Sequence, residues 1–157
     1  MIYNLSDHFT YKELTYTNHR HYLERNRDIE NDHSYMSAAI ELCDNLLEPI
    51  RNHFNSPVII HSGYRCEALN KAIGGSKFSQ HRHFQAADFH VVDETLEEVF
   101  MWVYKESSLE FGQLILEGWA VGQPTWIHIS LGYPFRRKSK CGQILTMEAG
   151  KFTRVDK

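Results

Sequence analysis

Ser62-Gly63-Tyr64-Arg65, then Gly74-Gly75-Ser76, then Ser79-Gln80-His81-Arg82-His83-Phe84-Gln85-Ala86-Ala87-Asp88 punctuate the middle of this chain and set where its elements begin and end. Val58-Ile59-Ile60-His61 ahead of the stretch is a short β-branched strand, and Ser62-Gly63 turns out of it. A helix over Glu67 to Ile73 stops at Gly74-Gly75, residues that suit a helix C-terminus. A loop through Ser79 and His81 then leads to a strand over Ala87 to Val92. With His81 on that loop and Asp88 on that strand, the two stand at a metal-site spacing. Two ligands do not hold a catalytic zinc, which takes three protein ligands and keeps one position open. His128 in Trp126-Ile127-His128-Ile129 is the best third candidate, because on a strand it points away from both isoleucines.

Outward from this centre the patterns are regular. Toward the N-terminus, Thr10 and Glu13 have the spacing of a capping box at the start of a short helix. Thr15 to Asp32 is polar and without period, which predicts a surface connection. From Ser34 to Phe54, apolar residues at Met36, Ala39, Ile40, Cys43, Leu46, Leu47, Ile50 and Phe54 mark the buried stripe of a long helix, which Pro49 should kink or end early. Toward the C-terminus, Asp93-Glu94-Thr95 starts a helix whose stripe is Leu96, Val99, Phe100, Val103 and Tyr104. Phe111 to Glu117 and Thr125 to Leu131 are strands, and Gly142 to Glu148 adds a last one. Helices come first and strands cluster late, so the expectation is α+β: a small central antiparallel sheet with flanking helices.

Composition narrows the function classes. The chain has 157 residues, 42% of them hydrophobic, enough for one ordinary core and hence one domain over 1–157. A net charge of -3 offers no general field for nucleic acid. The single basic run, Arg136-Arg137-Lys138 with Lys140, reads as a solvated turn. Ten histidines raise the prior for a metal site. Three cysteines without C-x-x-C spacing indicate neither a disulfide framework nor a zinc knuckle, and are expected to be buried or idle thiols. No window approaches the ~20 apolar residues of a membrane span, and the N-terminus has no basic region followed by an apolar run. Synthesis in the cytoplasm without a signal peptide, no membrane insertion and a monomer are expected.

The ordered set of motifs also resembles a family. His81-x6-Asp88, preceded by Ser79-Gln80 and Ser62-Gly63-Tyr64-Arg65 and followed by Trp126-Ile127-His128, is similar to the zinc D-alanyl-D-alanine peptidases of the M15 family, especially its small members related to phage endolysins. Phe9 to Leu14, Leu47 to Arg51, Leu69 to Gly75 and Phe111 to Glu117 look like family segments in the family's order. The resemblance covers roughly residues 5 to 131.

It implies a hedgehog/D-Ala-D-Ala-peptidase-like fold and one zinc ion held by His81, Asp88 and His128. Two neutral imidazoles and one carboxylate leave that ion a net charge near +1, which acidifies bound water toward a pKa of ~7. Arg65 is implied to neutralise a substrate carboxylate or a developing oxyanion, and Ser79 to hydrogen-bond the same substrate. His83, two positions from His81, is placed with the substrate-binding residues.

Two positions depart from the pattern. The acidic residue expected three positions before the last histidine is Thr125, so Glu117, at the end of the preceding strand, is taken as general base. Phe84 stands where glycine is common, which predicts a differently shaped loop.

The implied function is hydrolysis of peptide bonds next to D-amino acids in bacterial peptidoglycan stem or cross-link peptides. Such an enzyme would reach the wall after lysis-linked release, as an endolysin, or as part of a phage particle. The competing readings are a non-catalytic zinc-stabilised wall-binding module, and a carboxypeptidase or dipeptidase acting on small soluble D-amino-acid peptides.

Overall fold

A computed structural model describes residues 3–28, 33–117, 124–138, 141–148 and 151–155. The fold is α+β. Six strands form one sheet in the order β1-β2-β4-β3-β5-β6, from β1 (Val58–Ser62), β2 (Ala86–Val91), β3 (Phe111–Glu117), β4 (Trp126–Leu131), β5 (Gln143–Glu148) and β6 (Lys151–Arg154). Five of these sit where the hydrophobic patterns predict strands, and β6 is an addition to the sequence reading. The expected antiparallel pairing holds for every ladder but one, since β3 and β5 run parallel. The reason lies in the 132–142 connection. Leu131 ends β4 opposite Phe111, and the Gly142 N–H donates to the Phe111 carbonyl at 2.9 Å, so β5 begins at the same end of the sheet as β3.

Alternation gives the sheet two unlike faces. Phe89, Val91, Leu114, Leu116, Ile127 and Ile129 belong to the hydrophobic core, with α6 (Leu96–Met101) and α3 (His33–Leu42) lying against them. The residues between them, Asp88 and His90 on β2, Ile115 and Glu117 on β3, and Trp126 and His128 on β4, face the other way. That face carries the chemistry.

The long helix is helical to its predicted end, but not uniformly. α3 passes into a widened π turn, Cys43–Leu47, and then α4 (Glu48–Phe54). Pro49 explains the turn: it has no N–H, and its ring crowds the carbonyl four residues back. The Glu48 N–H instead reaches the Cys43 carbonyl, five residues back. Leu42, Cys43, Leu46, Leu47 and Ile50 are all fully buried across this change of pitch. Both capping boxes form, Thr10 with Glu13 at α1 (Tyr11–Leu14) and Thr95 with Glu98 at α6.

The polar segment before Asp32 is more than a surface connection. It contains α2 (Leu23–Arg27), and Asn26 within it is fully buried. Its amide donates to the carbonyls of Thr15 (2.9 Å) and Tyr64 (2.8 Å), and its oxygen accepts the Cys66 N–H at 2.7 Å. One amide thus satisfies three backbone groups and holds the Tyr64-Arg65-Cys66 loop. Residues 29–32 lie outside the described residues, as do Lys140 and residues 118–123. Cys43 and Cys66 are buried and Cys141 is partly exposed, all as free thiols. Among the described residues no helix is long and apolar enough to cross a membrane.

Candidate metal centre

Three elements bring the candidate ligands together. Asp88 and His128 are direct cross-strand partners on β2 and β4. His81 comes from a 3-10 turn, Gln80–His83, that lies between α5 (Glu67–Ala72) and β2. All three are buried. His81 Nε2 lies 3.2 Å from Asp88 Oδ1 and 3.2 Å from His128 Nδ1, and His128 Nδ1 lies 2.8 Å from Asp88 Oδ1. A tetrahedral zinc site with bonds of about 2.0–2.1 Å has ligand-to-ligand edges of roughly 3.3 Å, so this triangle is one slightly contracted face of such a site. The donor set therefore fits a single divalent ion.

The surroundings put each donor in the form a metal needs. The Nδ1–H of His81 donates to the Gly63 carbonyl at 2.7 Å, which fixes the tautomer and leaves the Nε2 lone pair facing its partners. Burial pushes the His81 pKa down, favouring the neutral ring. Burial alone would raise the Asp88 carboxyl. The imidazoles of His81 and His128, whose protonated forms attract the carboxylate, overcome it and hold that carboxyl far below the usual carboxylate range. A carboxylate beside the neutral His81 ring suits a cation.

The Ser62-Gly63-Tyr64-Arg65 segment builds this arrangement by close backbone approach. A methyl group on Gly63 would stand 2.4 Å from the Leu14 carbonyl oxygen, an atom that also accepts the Tyr64 N–H. The Arg65 N–H donates to the His81 carbonyl at 3.0 Å, tying the loop to the ligand's own turn. Gly63→Ala is therefore expected to lower stability by about 1–3 kcal/mol, the range for overpacking. It should weaken zinc retention as well, because the displaced residue carries the carbonyl that orients His81. Thermal melts and metal analysis of dialysed protein check both.

Phe84 answers the question posed by its missing glycine. It adopts the left-handed conformation itself, with φ 54°. That costs about 1–2 kcal/mol in a residue with a Cβ. Its ring is fully buried and stacks on Tyr64 with centroids 4.5 Å apart, and burying a phenylalanine contributes about 1.5–3 kcal/mol, enough to offset the strain. The turn keeps the conformation that glycine would take, and the aromatic pair anchors it.

The remaining predicted site residues are distributed unequally. Glu117 ends β3 opposite Trp126; its Oε1 accepts the indole N–H at 3.0 Å and lies 4.0 Å from His128 Nδ1. Burial, then the nearby charge of Asp88, pushes its pKa above the ordinary glutamate value. Arg65 donates from Nε to Ser62 Oγ at 2.7 Å and from Nη2 to Asp88 Oδ2, so its guanidinium braces the ligand carboxylate. Ser79 precedes the turn that carries His81 and lines the hollow in front of the triad. That hollow has a volume of about 660 Å³ and also takes in Arg65, Gln113, Glu117, Trp126 and Met147.

His83 is not brought there: its ring stacks on Tyr35 at 5.8 Å and borders a separate hollow with Ala38, Gln85 and Phe135. His61 and His90, set aside as ligands, hydrogen-bond each other at 2.7 Å. Thr125 is exposed, and a hydroxyl there is no base.

Two participants are not predicted from the sequence. In the sequence Trp126 is only a motif neighbour of His128, yet its N–H holds Glu117. Arg136, predicted to lie in a solvated turn, is half-buried against the hollow and donates to Gln80 Oε1 (2.8 Å) and Gln143 Oε1 (2.9 Å). Its place depends on how the 132–142 connection crosses the sheet, which no local pattern encodes.

A family model described as Peptidase M15 matches residues 7–130. No curated protein matches the chain. The match runs through every element that supplies the triad, and M15 peptidases are zinc-dependent, which the donor set fits. The chain belongs to the peptidase M15 family of metallopeptidases.

Proposed function

We propose that the protein hydrolyses peptide bonds next to D-amino acids in the stem or cross-link peptides of bacterial peptidoglycan, in the manner of an endolysin. The observation that carries this reading is the pairing of a buried His81-Asp88-His128 triad with a second carboxylate, Glu117, held beside it across an open hollow. His81, Asp88 and His128 would hold one zinc ion. When bound, the ion supplies a Lewis acid that acidifies water and polarises the scissile carbonyl.

The chain's own residues do the rest. Glu117, with Oε1 fixed by Trp126, accepts a proton from the attacking water through Oε2 and returns it to the leaving amine. Its raised pKa makes it the stronger base of the two carboxylates at the site. Arg65 orients Asp88 through its Nη2 donor, and its charge favours the oxyanion that develops on the carbonyl. Ser79 positions the substrate backbone from the rim.

Purified peptidoglycan treated with the zinc-loaded protein should release peptides with new amino termini beside D-residues, read by mass spectrometry. Binding to wall material without any new terminus would favour the non-catalytic module. Activity on free dipeptides alone would favour the small-peptide enzyme.

A further inference from the structure

The 132–142 connection sends one long side chain back toward the triad. Arg136 is fixed at its backbone, where its N–H donates to the Gly132 carbonyl at 2.9 Å. Its stem passes close to β3 at Gly112: an added Cβ there would stand 3.0 Å from Arg136 Cδ, so the bare backbone of glycine leaves the stem its path. The side chain then borders the hollow in front of the triad and spreads its planar fork over two amide oxygens. Nη1 donates to Gln80 Oε1 at 2.8 Å and Nη2 to Gln143 Oε1 at 2.9 Å. Gln143 begins β5, and Gln113 of β3 donates to the same oxygen at 3.1 Å. Gln80 opens the 3-10 turn immediately before His81. Its amide is gripped at both ends, because Nε2 donates to the Leu131 carbonyl at 3.0 Å, where β4 stops. The Leu131 N–H in turn donates to the Gln85 carbonyl at 2.8 Å, which ties the far side of the turn to the same strand end.

We infer that Arg136 is a positioning residue for the metal centre: by holding Gln80 between the end of β4 and the start of β5, it fixes the turn that presents His81 to Asp88 and His128. This rests on the zinc reading of the triad and carries it to a residue beyond the matched stretch 7–130. Charge and geometry predict opposite signs, which isolates the role. Arg136 is a cation on the same hollow as the triad, so Coulomb repulsion alone makes its removal tighten zinc. Loss of a clamp on a ligand's turn weakens zinc instead, since groups that orient metal ligands contribute about 10–100-fold in affinity.

The test measures zinc affinity of the full chain by competition with a chelator of known strength. Arg136→Met keeps an unbranched stem beside Gly112 and removes both donors, and Gln80→Ala removes the link to the turn. Each should weaken zinc about tenfold, and the double variant should be no weaker than Gln80→Ala, because the two losses break one chain of contacts. Cobalt(II) bound in place of zinc should show altered visible absorption bands in Arg136→Met. Arg137→Ala, which removes the same charge from an exposed neighbour, should match wild type in both readouts.

Unchanged or tighter zinc in Arg136→Met, an unaltered cobalt spectrum, or a double variant whose loss is the product of the single losses overturns the proposal. If wild type binds no zinc, the zinc reading fails and amide hydrogen exchange of the metal-free protein decides the clamp. The Gln85 and Arg65 N–H groups donate to the Gln80 and His81 carbonyls of the turn, each at 3.0 Å. Faster exchange at these two amides in Arg136→Met, with Phe89 in β2 unchanged, upholds the clamp. Exchange that is unchanged, or faster throughout the protein, ends it.

Discussion

Asp88→Ala is expected to strip the protein of zinc and of peptidase activity together, and to lower its stability more than either histidine replacement does. Asp88 is the acceptor on which the site converges, taking His128 Nδ1 at 2.8 Å on one oxygen and the Arg65 guanidinium on the other. Without it the metal loses its anionic ligand, and three ligands are the minimum for a catalytic zinc. Arg65 is left half-buried beside two imidazoles with no counter-charge. Breaking a buried ion pair from one side costs about 3–5 kcal/mol, and the partial exposure of Arg65 puts the expected loss toward the lower end. His81→Ala removes a neutral ligand and leaves the ion pair standing, so it should cost less stability while still emptying the site. Metal content after dialysis, together with melts of the metal-free proteins, separates the two effects. Stoichiometric zinc in Asp88→Ala would contradict the assignment.

The second large effect concerns chemistry without structure. Glu117→Gln is expected to lower kcat by about 10²–10⁴, the usual contribution of a general base, while zinc content, KM and thermal stability stay near wild type. The amide keeps an oxygen for the Trp126 N–H, so the side chain has no reason to move. What it lacks is the capacity to take a proton from water. Single-turnover assays on a defined stem peptide would read the loss. Turnover at the wild-type rate would remove Glu117 from the mechanism and leave Thr125, the residue at the expected position, to be explained by some other base.

These effects also mark what the linear chain discloses. The convergence of the three candidate ligands was legible because their types are unusual and their elements have strong local patterns: His128 alternates with two isoleucines, and Asp88 sits in a run that alternates around Phe89. The place of Glu117 beside Trp126 and His128 was legible once the strand 111–117 was placed beside 126–131, since antiparallel pairing brings strand end to strand start. Pro49 disclosed a disturbance in the long helix but not its form, because a π turn and a kink answer the same missing N–H.

The features that escaped depend on distant partners. Asn26 reads as one more polar residue in a polar segment, and its burial depends on carbonyls eleven and thirty-eight residues away. Arg136 and the parallel β3/β5 ladder both follow from the path of the 132–142 connection. His83 failed in the opposite direction: it lies two residues from a ligand, but the 3-10 turn points it at Tyr35 instead of the hollow.

The most direct measurement strips the wild-type protein of metal, returns zinc in fractions of an equivalent, and follows cleavage of a defined peptidoglycan stem peptide alongside bound metal. Cleavage should be absent at first, rise in proportion to zinc and level off at one equivalent, with His128→Ala flat throughout. Full cleavage by the stripped protein, or by His128→Ala with no metal bound, would contradict it.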